Sequence, residues 1–331
     1  MKDHVGDLEL LANQNEYRSF LRNALAWKGT ITPKILPRVF WTGAYSALIW
    51  LMMKSFPHAA VAITPFEYTG AVLGVLLVAR VNAGMGRWWE ARRVWGNIVN
   101  QSRNLATVVS QYSPGSQKTT VEILNWISVW PHIMRHHLRN EHEPSLYRKF
   151  INESDLNTLI SSHHKPVHVS LKIAENLAKL RQQGMDDFSF HRAERERSLL
   201  IDAIGSCERI QSTPIPFVLA TKTRRFIFLF LLLLPLPLVD EVGYLTPLIM
   251  MLASYPLFCL DEIGIELQNP FSKSNLSHLP LVKICENISN NIEQIKSSIH
   301  TRSTDGSTKD SKDTINSQRR EAKNTTAPSL Q

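Results

Sequence analysis

Paired cysteines are missing from this chain, which has only three cysteines in 331 residues. Cys207, Cys259 and Cys285 are far apart and form no CxxC pair. Neither a disulfide framework nor a zinc knuckle is therefore expected, and we interpret the thiols as buried or membrane-embedded. The first 20 residues are charged and lack an apolar core, so no cleaved signal peptide is predicted.

Recognisable catalytic motifs are also missing. The sequence has no phosphate-binding glycine loop, no nucleophile elbow and no pair of carboxylates arranged for acid–base chemistry. Asp261, Glu262 and Glu266 are better interpreted as capping residues and members of a charge cluster between helices. The mean hydropathy lies slightly below zero, which is typical of a soluble protein, but this average hides long apolar stretches.

The longest apolar stretches lie back to back near residue 226. Residues 226–239 are followed by the short segment 240–243, which contains two acidic residues, and then by residues 244–260. A bilayer span needs roughly 20 apolar residues, and fewer when polar flanks reach the interface. The pattern therefore predicts a membrane hairpin with spans at about 223–240 and 243–262.

A weaker pair of apolar stretches lies in the first third of the chain. Residues 39–53 are apolar, and residues 65–79 are shorter and richer in small side chains. A span that faces a cavity lined by protein need not be as hydrophobic as one that faces lipid. We therefore predict two more spans, at about 36–56 and 60–82, which makes four in total.

Basic residues flank all four predicted spans on the same side. They are Lys28, Lys34, Arg38, Arg87, Arg92, Arg93, Arg103, Arg224, Arg225, Lys273 and Lys283. The positive-inside rule then places both termini and the middle segment in the cytosol of a multi-pass protein of the plasma (bacterial inner) membrane. The net charge of +8 is assigned to contact with anionic membrane lipids and not to nucleic acid.

These observations predict an all-α membrane protein with long cytosolic helices. The predicted segments are a cytosolic amphipathic segment at 1–35, a first hairpin at 36–82, a cytosolic helical domain at 83–222, a second hairpin at 223–262, a cytosolic helix at 263–298 and a disordered tail at 299–331. The second span is expected to continue as one helix to about residue 110. Further helices are predicted at about 117–140, 145–160, 167–184 and 189–211.

Four blocks of the sequence resemble the bestrophins, especially their bacterial branch. The blocks are residues 27–29 with 33–38, residues 80–96, residues 213–216, and residues 269–271 followed by 279–281. The motif residues are Arg80, Asn82, Arg87, Trp88, Trp89, Glu90 and Arg92 in the second block and Pro270 and Phe271 in the fourth. The resemblance covers about residues 15–295 and is most specific at the RWWEAR element.

This resemblance implies a homopentameric ion channel with four membrane helices per subunit, a helical cytosolic vestibule, and no metal or cofactor. Carried over by the motif, a hydrophobic neck falls on Ala71, Val75 and Ala79, and a cytosolic aperture falls on Ile215. The spacing i, i+4, i+8 does place the three neck residues on one stripe of a helix. Rings of such residues can impede ions by dewetting.

One alternative for this stripe is that it packs against another helix of the same subunit. Gly70 and Gly74 lie beside the stripe and are expected to let neighbouring helices approach closely. Two neck positions are alanine where the family has bulkier residues, so the neck is expected to be wider or the constriction to lie at Ile215. Residues 268–279 contain no acidic residue, so no calcium clasp is expected.

The expected partners are further copies of this chain, inorganic ions and membrane lipids. Arg80 would favour anions if it faced the pore, whereas Asp240 and Glu241 at the outer mouth would concentrate cations. Chloride is the ion that we favour. A monovalent cation channel of the same fold and a structural membrane scaffold without conductance remain alternatives.

The rival interpretation is an enzyme that binds metal through histidines. His132, His136, His137, His163, His164 and His168 form HxxxHH and HHxxxH patterns, similar to those of membrane di-iron desaturases and hydroxylases. Imidazoles at i and i+4 share a helix face and can chelate a metal. Such enzymes need more histidines close to the bilayer, so a solvated or subunit-facing histidine cluster is the favoured interpretation.

Overall fold

The computed structural model describes residues 24–55, 60–113 and 117–299. Within these ranges the chain is helical with connecting turns and has no β-strand, which confirms the all-α prediction. Most of the predicted amphipathic segment at 1–35 and the predicted tail beyond residue 299 lie outside the described residues.

The helices follow the order in which the sequence predicts them. They are α1 Thr32–Ser55, α2 Thr64–Tyr112, α3 Gln117–Arg139, α4 Pro144–Tyr147, α5 Glu153–Ser161, α6 Lys165–Gln182, α7 Asp187–Ser212, α8 Phe217–Leu233, α9 Pro235–Val242, α10 Thr246–Glu266 and α11, residues 281–299. A 3-10 turn, Gly243–Leu245, connects α9 to α10. α2 runs unbroken past residue 110, as expected.

The single helix predicted at 145–160 is wrong, because this region forms two helices, α4 and α5. The Asn152 side chain accepts a hydrogen bond from the backbone N–H of Asp155 and caps the start of α5. Asparagine is favoured at this capping position, where its own backbone is not helical. Local capping therefore divides a segment whose apolar pattern looks continuous.

Three helical stretches of the described chain are long and apolar enough to cross a membrane. They are Thr32–Ser55, Thr64–Tyr112 and Asp187–Glu266. The third contains α8, α9 and α10, and both spans predicted for the second hairpin lie within it. α8 ends just before Pro235, which lacks a backbone N–H, and Gly243 adopts a φ of +56° where the chain turns into α10.

The chain forms two compact units. Over the described residues, the first unit comprises residues up to 95 and residues 206–280, and the second comprises residues 96–205 and 281–299. α2 and α7 each contribute residues to both units.

In the first unit, α1 packs most extensively against α10. A Cβ atom at Gly43 would lie 2.7 Å from the Met251 side chain, so any larger residue there would force Met251 to shift. The hydroxyls of Thr42 and Ser254 hydrogen-bond nearby at 2.9 Å. A core of apolar side chains from α2, α8, α9 and α10 completes the unit; its buried members are Leu73, Leu77, Ile227, Leu231, Leu234, Leu238 and Met250.

In the second unit, α3 packs along α6. α11 joins α3 through polar contacts. The Cys285 thiol donates to the carbonyl of Pro131 at 3.2 Å, and the Ser289 hydroxyl donates to the carbonyl of Ser128 at 3.0 Å. Burial raises the pKa of Cys285 to about 12, so this thiol is protonated at neutral pH.

Candidate ion pathway along α2

The three predicted neck residues lie on an exposed face of α2. Ala71, Val75 and Ala79 are all exposed in the single chain, and Val75 is 69% exposed. The opposite face is buried in the first unit through Leu73 and Leu77. Among the described residues, the stripe therefore does not pack against another helix of the same subunit, and it can face lipid, a second subunit or a lumen.

The two glycines beside this stripe have different surroundings. A Cβ atom at Gly70 would lie 3.3 Å from the ring of Phe230 on α8, whereas one at Gly74 would meet no atom within 4 Å. Gly70 thus permits the close approach of a neighbouring helix, α8, as the sequence predicts. At Gly74 the space is open.

Arg80 does not share the face of the neck residues. Its side chain is only 1% exposed and forms an ion pair with Asp261 of α10. Gly264 provides the room, because a Cβ atom there would lie 3.3 Å from Arg80 Nε. The condition under which Arg80 would favour anions, an orientation toward the pore, is therefore not met.

Asp261 belongs to a cluster of ion pairs that joins four helices of the first unit. Three acidic residues of α10 face four basic residues of α1, α2 and α8; the members are Asp261, Glu262, Glu266, Lys34, Arg38, Arg80 and Arg224. Asp261 lies 3.3 Å from Arg224, and Glu262 lies 3.3 Å from Arg38. This arrangement agrees with the predicted charge cluster between helices.

Arg87 organises the segment that carries the predicted aperture. Its guanidinium donates hydrogen bonds to the backbone carbonyls of Ile210 and Thr213 at the end of α7. It also donates to the carbonyl of Gln268, at 3.2 Å. Carbonyls at a helix end have no partner within the helix, so Arg87 satisfies them and holds the start of the segment with Ile215. Ile215 itself is half-buried.

The rest of the RWWEAR element divides between anchoring and exposed residues. Trp88 Nε1 donates to the carbonyl of Ser277 at 2.7 Å, and Glu90 lies 3.0 Å from Arg209. The exposed residues of the element and its upstream neighbour are Asn82, Trp89 and Arg92. Asn82 extends the exposed stripe by one turn beyond Ala79, because it follows at i+3. Sequence reasoning found the motif but did not indicate which members anchor loops.

Pro270 and Phe271 stabilise the loop that follows α10. Phe271 is fully buried, and the carbonyl of Pro270 accepts a hydrogen bond from Leu279 N at 2.8 Å. The Asn275 amide donates to the carbonyls of Glu266 and Asn269 at 3.1 and 3.0 Å. Amides and backbone groups thus tie this loop together.

His132 and His136 on α3 form hydrogen bonds that a chelating pair would have to break. Because Ser289 donates to a carbonyl, it accepts from His132 Nε2, at 2.9 Å. Burial, followed by the nearby positive charge of Arg135, lowers the pKa of His132 to about 4. His136 Nδ1 lies 2.5 Å from the Tyr147 hydroxyl, and its Nε2 contacts Arg135.

The remaining histidines have different environments. The rings of His137 and His164 are 4.8 Å apart at a tilt of 41°. His163 is exposed, and burial lowers the pKa of the half-buried His168. His132 and His136 are thus part of a hydrogen-bonded core network, in contrast to the solvated or subunit-facing cluster that the sequence suggested.

Comparison with known proteins decides the family. The family model described as Bacterial/Fungal Bestrophin protein matches residues 12–294. This chain belongs to that bestrophin family. The suspected resemblance is confirmed, and the assignment supports a channel family of integral membrane proteins and not an enzyme.

Two similar proteins bear channel names. This bestrophin is 29% identical over 276 residues to the voltage-dependent anion channel-forming protein sll1024 of Synechocystis, covering 82% of this chain and 90% of that one. It is 30% identical over 272 residues to the voltage-dependent anion channel-forming protein YneE of Escherichia coli K12, covering 81% and 89%.

Solved structures agree with the fold. A bacterial bestrophin homolog from Klebsiella pneumoniae, solved with a single mutation, superposes with a TM-score of 0.74 at 25% identity, covering 79% of this chain and 98% of that one. A second structure of the Klebsiella homolog gives a TM-score of 0.74 at 24% identity, with 80% and 98% covered.

Proposed function

We propose that this bestrophin is a homopentameric channel that conducts anions, with chloride as the main ion, and that both of its termini lie in the cytosol of a plasma (bacterial inner) membrane. The observation that carries the proposal is the exposed, charge-free stripe of Ala71, Val75 and Ala79 on a helix whose opposite face is buried. Five copies of this stripe around an axis would form three stacked apolar rings, which impede ions without binding them.

Three observations bear on the sign of the permeant ion. The names of the relatives from Synechocystis and Escherichia coli support anions. Arg80 does not support selectivity for anions, because Asp261 neutralises its charge. Asp240 and Glu241 are both exposed, and this observation favours the second candidate, a monovalent cation channel of the same fold.

Recording from purified protein in planar bilayers with asymmetric KCl tests the function. We expect a reversal potential near the equilibrium potential of chloride. A reversal potential near the equilibrium potential of potassium would show that the protein is a cation channel and overturn the anion channel proposal. An intact oligomer that conducts no ion would support the structural scaffold and overturn both channel proposals.

Ala79→Phe tests whether the stripe faces a lumen. The larger side chain should reduce the single-channel conductance several-fold with little loss of stability, because it would enter open space. Val78→Phe is the matched control, since Val78 is also exposed but lies about 100° away around the helix. Native mass spectrometry monitors assembly. Loss of the oligomer in Ala79→Phe alone would instead place Ala79 in a contact between subunits.

Ile215→Ala tests the second constriction. Pro214 and Pro216 remove backbone donors on both sides of Ile215, and Arg87 holds the segment at Thr213. If the side chains of Ile215 from five subunits form a ring, truncation should raise conductance or weaken discrimination between anions. Val218→Ala, in an exposed position of α8, is the control. If Ile215→Ala and Val218→Ala give identical currents, the constriction does not lie at Ile215.

A further inference from the structure

A crevice of about 530 Å³ opens between α1, α8 and α10 within the first unit. Its α1 wall is a single face of the helix, from Arg38 through Thr42 to Tyr45, and is about 11 Å long at 1.5 Å per residue. Its α8 wall runs in the same way from Arg224 to Leu232. Clefts of roughly 300–1,000 Å³ are large enough to bury most of a small organic ligand.

Both arginines lie at one end of this crevice. Arg38 pairs with Glu262 through Nη1, and Arg224 pairs with the adjacent Asp261 through Nε, each at 3.3 Å. Their side chains are nevertheless 50% and 54% exposed. Because a guanidinium has five N–H donors, each arginine can bind a further anion while its ion pair persists.

Apart from Thr42 and from Asp261, which is paired with Arg224, the remainder of the crevice is apolar and aromatic. Ile227, Leu231 and Phe258 line its body, and the exposed Trp41 stands at its edge. Tyr45 is amphipathic and already donates to the carbonyl of Leu232 at 3.0 Å, which leaves its ring toward the crevice. A ligand that fits must combine an anionic group at one end with a long apolar part.

We propose that this crevice binds an anionic phospholipid, with its phosphate between Arg38 and Arg224 and an acyl chain along the α8 face. Basic pockets between membrane helices on the cytosolic side bind acidic headgroups in this way, and the cytosolic leaflet supplies such lipids. The positive-inside rule places both arginines on that side. The site is independent of ion conduction, so it goes beyond the proposed channel function.

The test measures lipid retained by the delipidated oligomer. Dioleoylphosphatidylglycerol and dioleoylphosphatidylcholine are added separately in detergent, and bound lipid is counted by native mass spectrometry. We expect preferential binding of phosphatidylglycerol and roughly tenfold weaker binding in Arg224→Gln, because a charge-assisted hydrogen bond is lost. The matched control is Arg225→Gln, which removes an adjacent exposed charge outside the crevice and should change affinity less than twofold.

A second variant keeps the test decisive if Arg224→Gln does not assemble. Leu232→Trp fills the apolar body of the crevice and should displace the lipid, whereas Leu252→Trp, on an exposed face of α10, should not. Sodium phosphate serves as the competitor without acyl chains. Displacement by millimolar phosphate would overturn the lipid proposal in favour of a free-anion site. Equal retention of the two lipids, or no retention because a second copy covers the crevice, would also overturn it.

Discussion

The two compact units bury polar groups in different ways. In the first unit a formal charge is buried against an opposite charge, as Arg80 against Asp261. In the second unit the buried network is built around imidazole rings, because His132 bonds to Ser289, His136 bonds to Tyr147, and the buried Arg135 contacts His136. A helix in lipid has no water to solvate an unpaired charge, so direct pairing is the available solution there. In the second unit burial lowers the pKa of His132 to about 4, so this ring becomes charged only on acidification.

Removing one partner of the buried Arg80–Asp261 ion pair should lower the free energy of unfolding more than the other changes described below. Asp261→Asn leaves Arg80 buried without a counter-charge, and Nε and Nη2 of Arg80 already have no hydrogen-bond partner among the described residues. We expect a loss of about 3–5 kcal/mol in the free energy of unfolding, seen as a lower thermal midpoint in detergent or as loss of the folded oligomer.

A double variant provides the control for this prediction. Arg80→Met with Asp261→Leu removes both charges and should recover most of the lost stability, since buried ion pairs replaced by apolar side chains are often neutral in effect. A single Asp261→Asn variant as stable as the wild type would show that the first unit does not depend on direct pairing.

Acidification should act on the second unit through His132. The folded state holds the pKa of His132 at about 4, below its ordinary value of 6.5, so the unfolded chain binds more protons between these values. The stability contributed by this group is present above about pH 6.5 and is lost as the pH falls toward 4. Because a pKa difference of one corresponds to about 1.4 kcal/mol, the loss reaches roughly 3 kcal/mol.

His132→Gln separates this titration from the other acidic groups. Glutamine can still donate to Ser289 but does not titrate, so the thermal midpoint measured from pH 7 to pH 4.5 should fall less steeply than in the wild type. Arg135, His136 and Lys149 contribute positive charge around His132 and remain unchanged in this variant. If the thermal midpoints of the two proteins fall in parallel with pH, the titration of His132 does not cause the loss of stability.

The smallest loss of stability is expected at a solvent-exposed ion pair of the first unit. Arg209 and Glu90 lie 3.0 Å apart, but their side chains are 65% and 41% exposed. Arg209→Gln should change the free energy of unfolding by less than about 1 kcal/mol. A loss as large as that of Asp261→Asn would mean that burial does not explain the difference between these two pairs.

Much of the fold could be predicted from periodicity and composition. The apolar stretches of the second hairpin, the long α2 and the RWWEAR element indicated helices, membrane insertion and the family, since each signal is local. The split of the helix predicted at 145–160 was missed, because the Asn152 cap competes with an apolar pattern that favours one helix. The role of Arg87 was also missed, since its three carbonyl partners carry no side-chain signal.

The sequence by itself determined that this is a helical membrane protein of the bestrophin family, because the length of the apolar stretches and the order of the motifs can be recognised without knowledge of tertiary contacts. Only the tertiary structure decided what its charged residues do. Arg80 and Asp261 are 181 positions apart, and their pairing depends on α2 meeting α10 beside Gly264. The exposure of Ala71, Val75 and Ala79 in the single chain was likewise visible only in the tertiary structure, since small apolar residues look identical on a packed and on an exposed face of a helix until its neighbours are known.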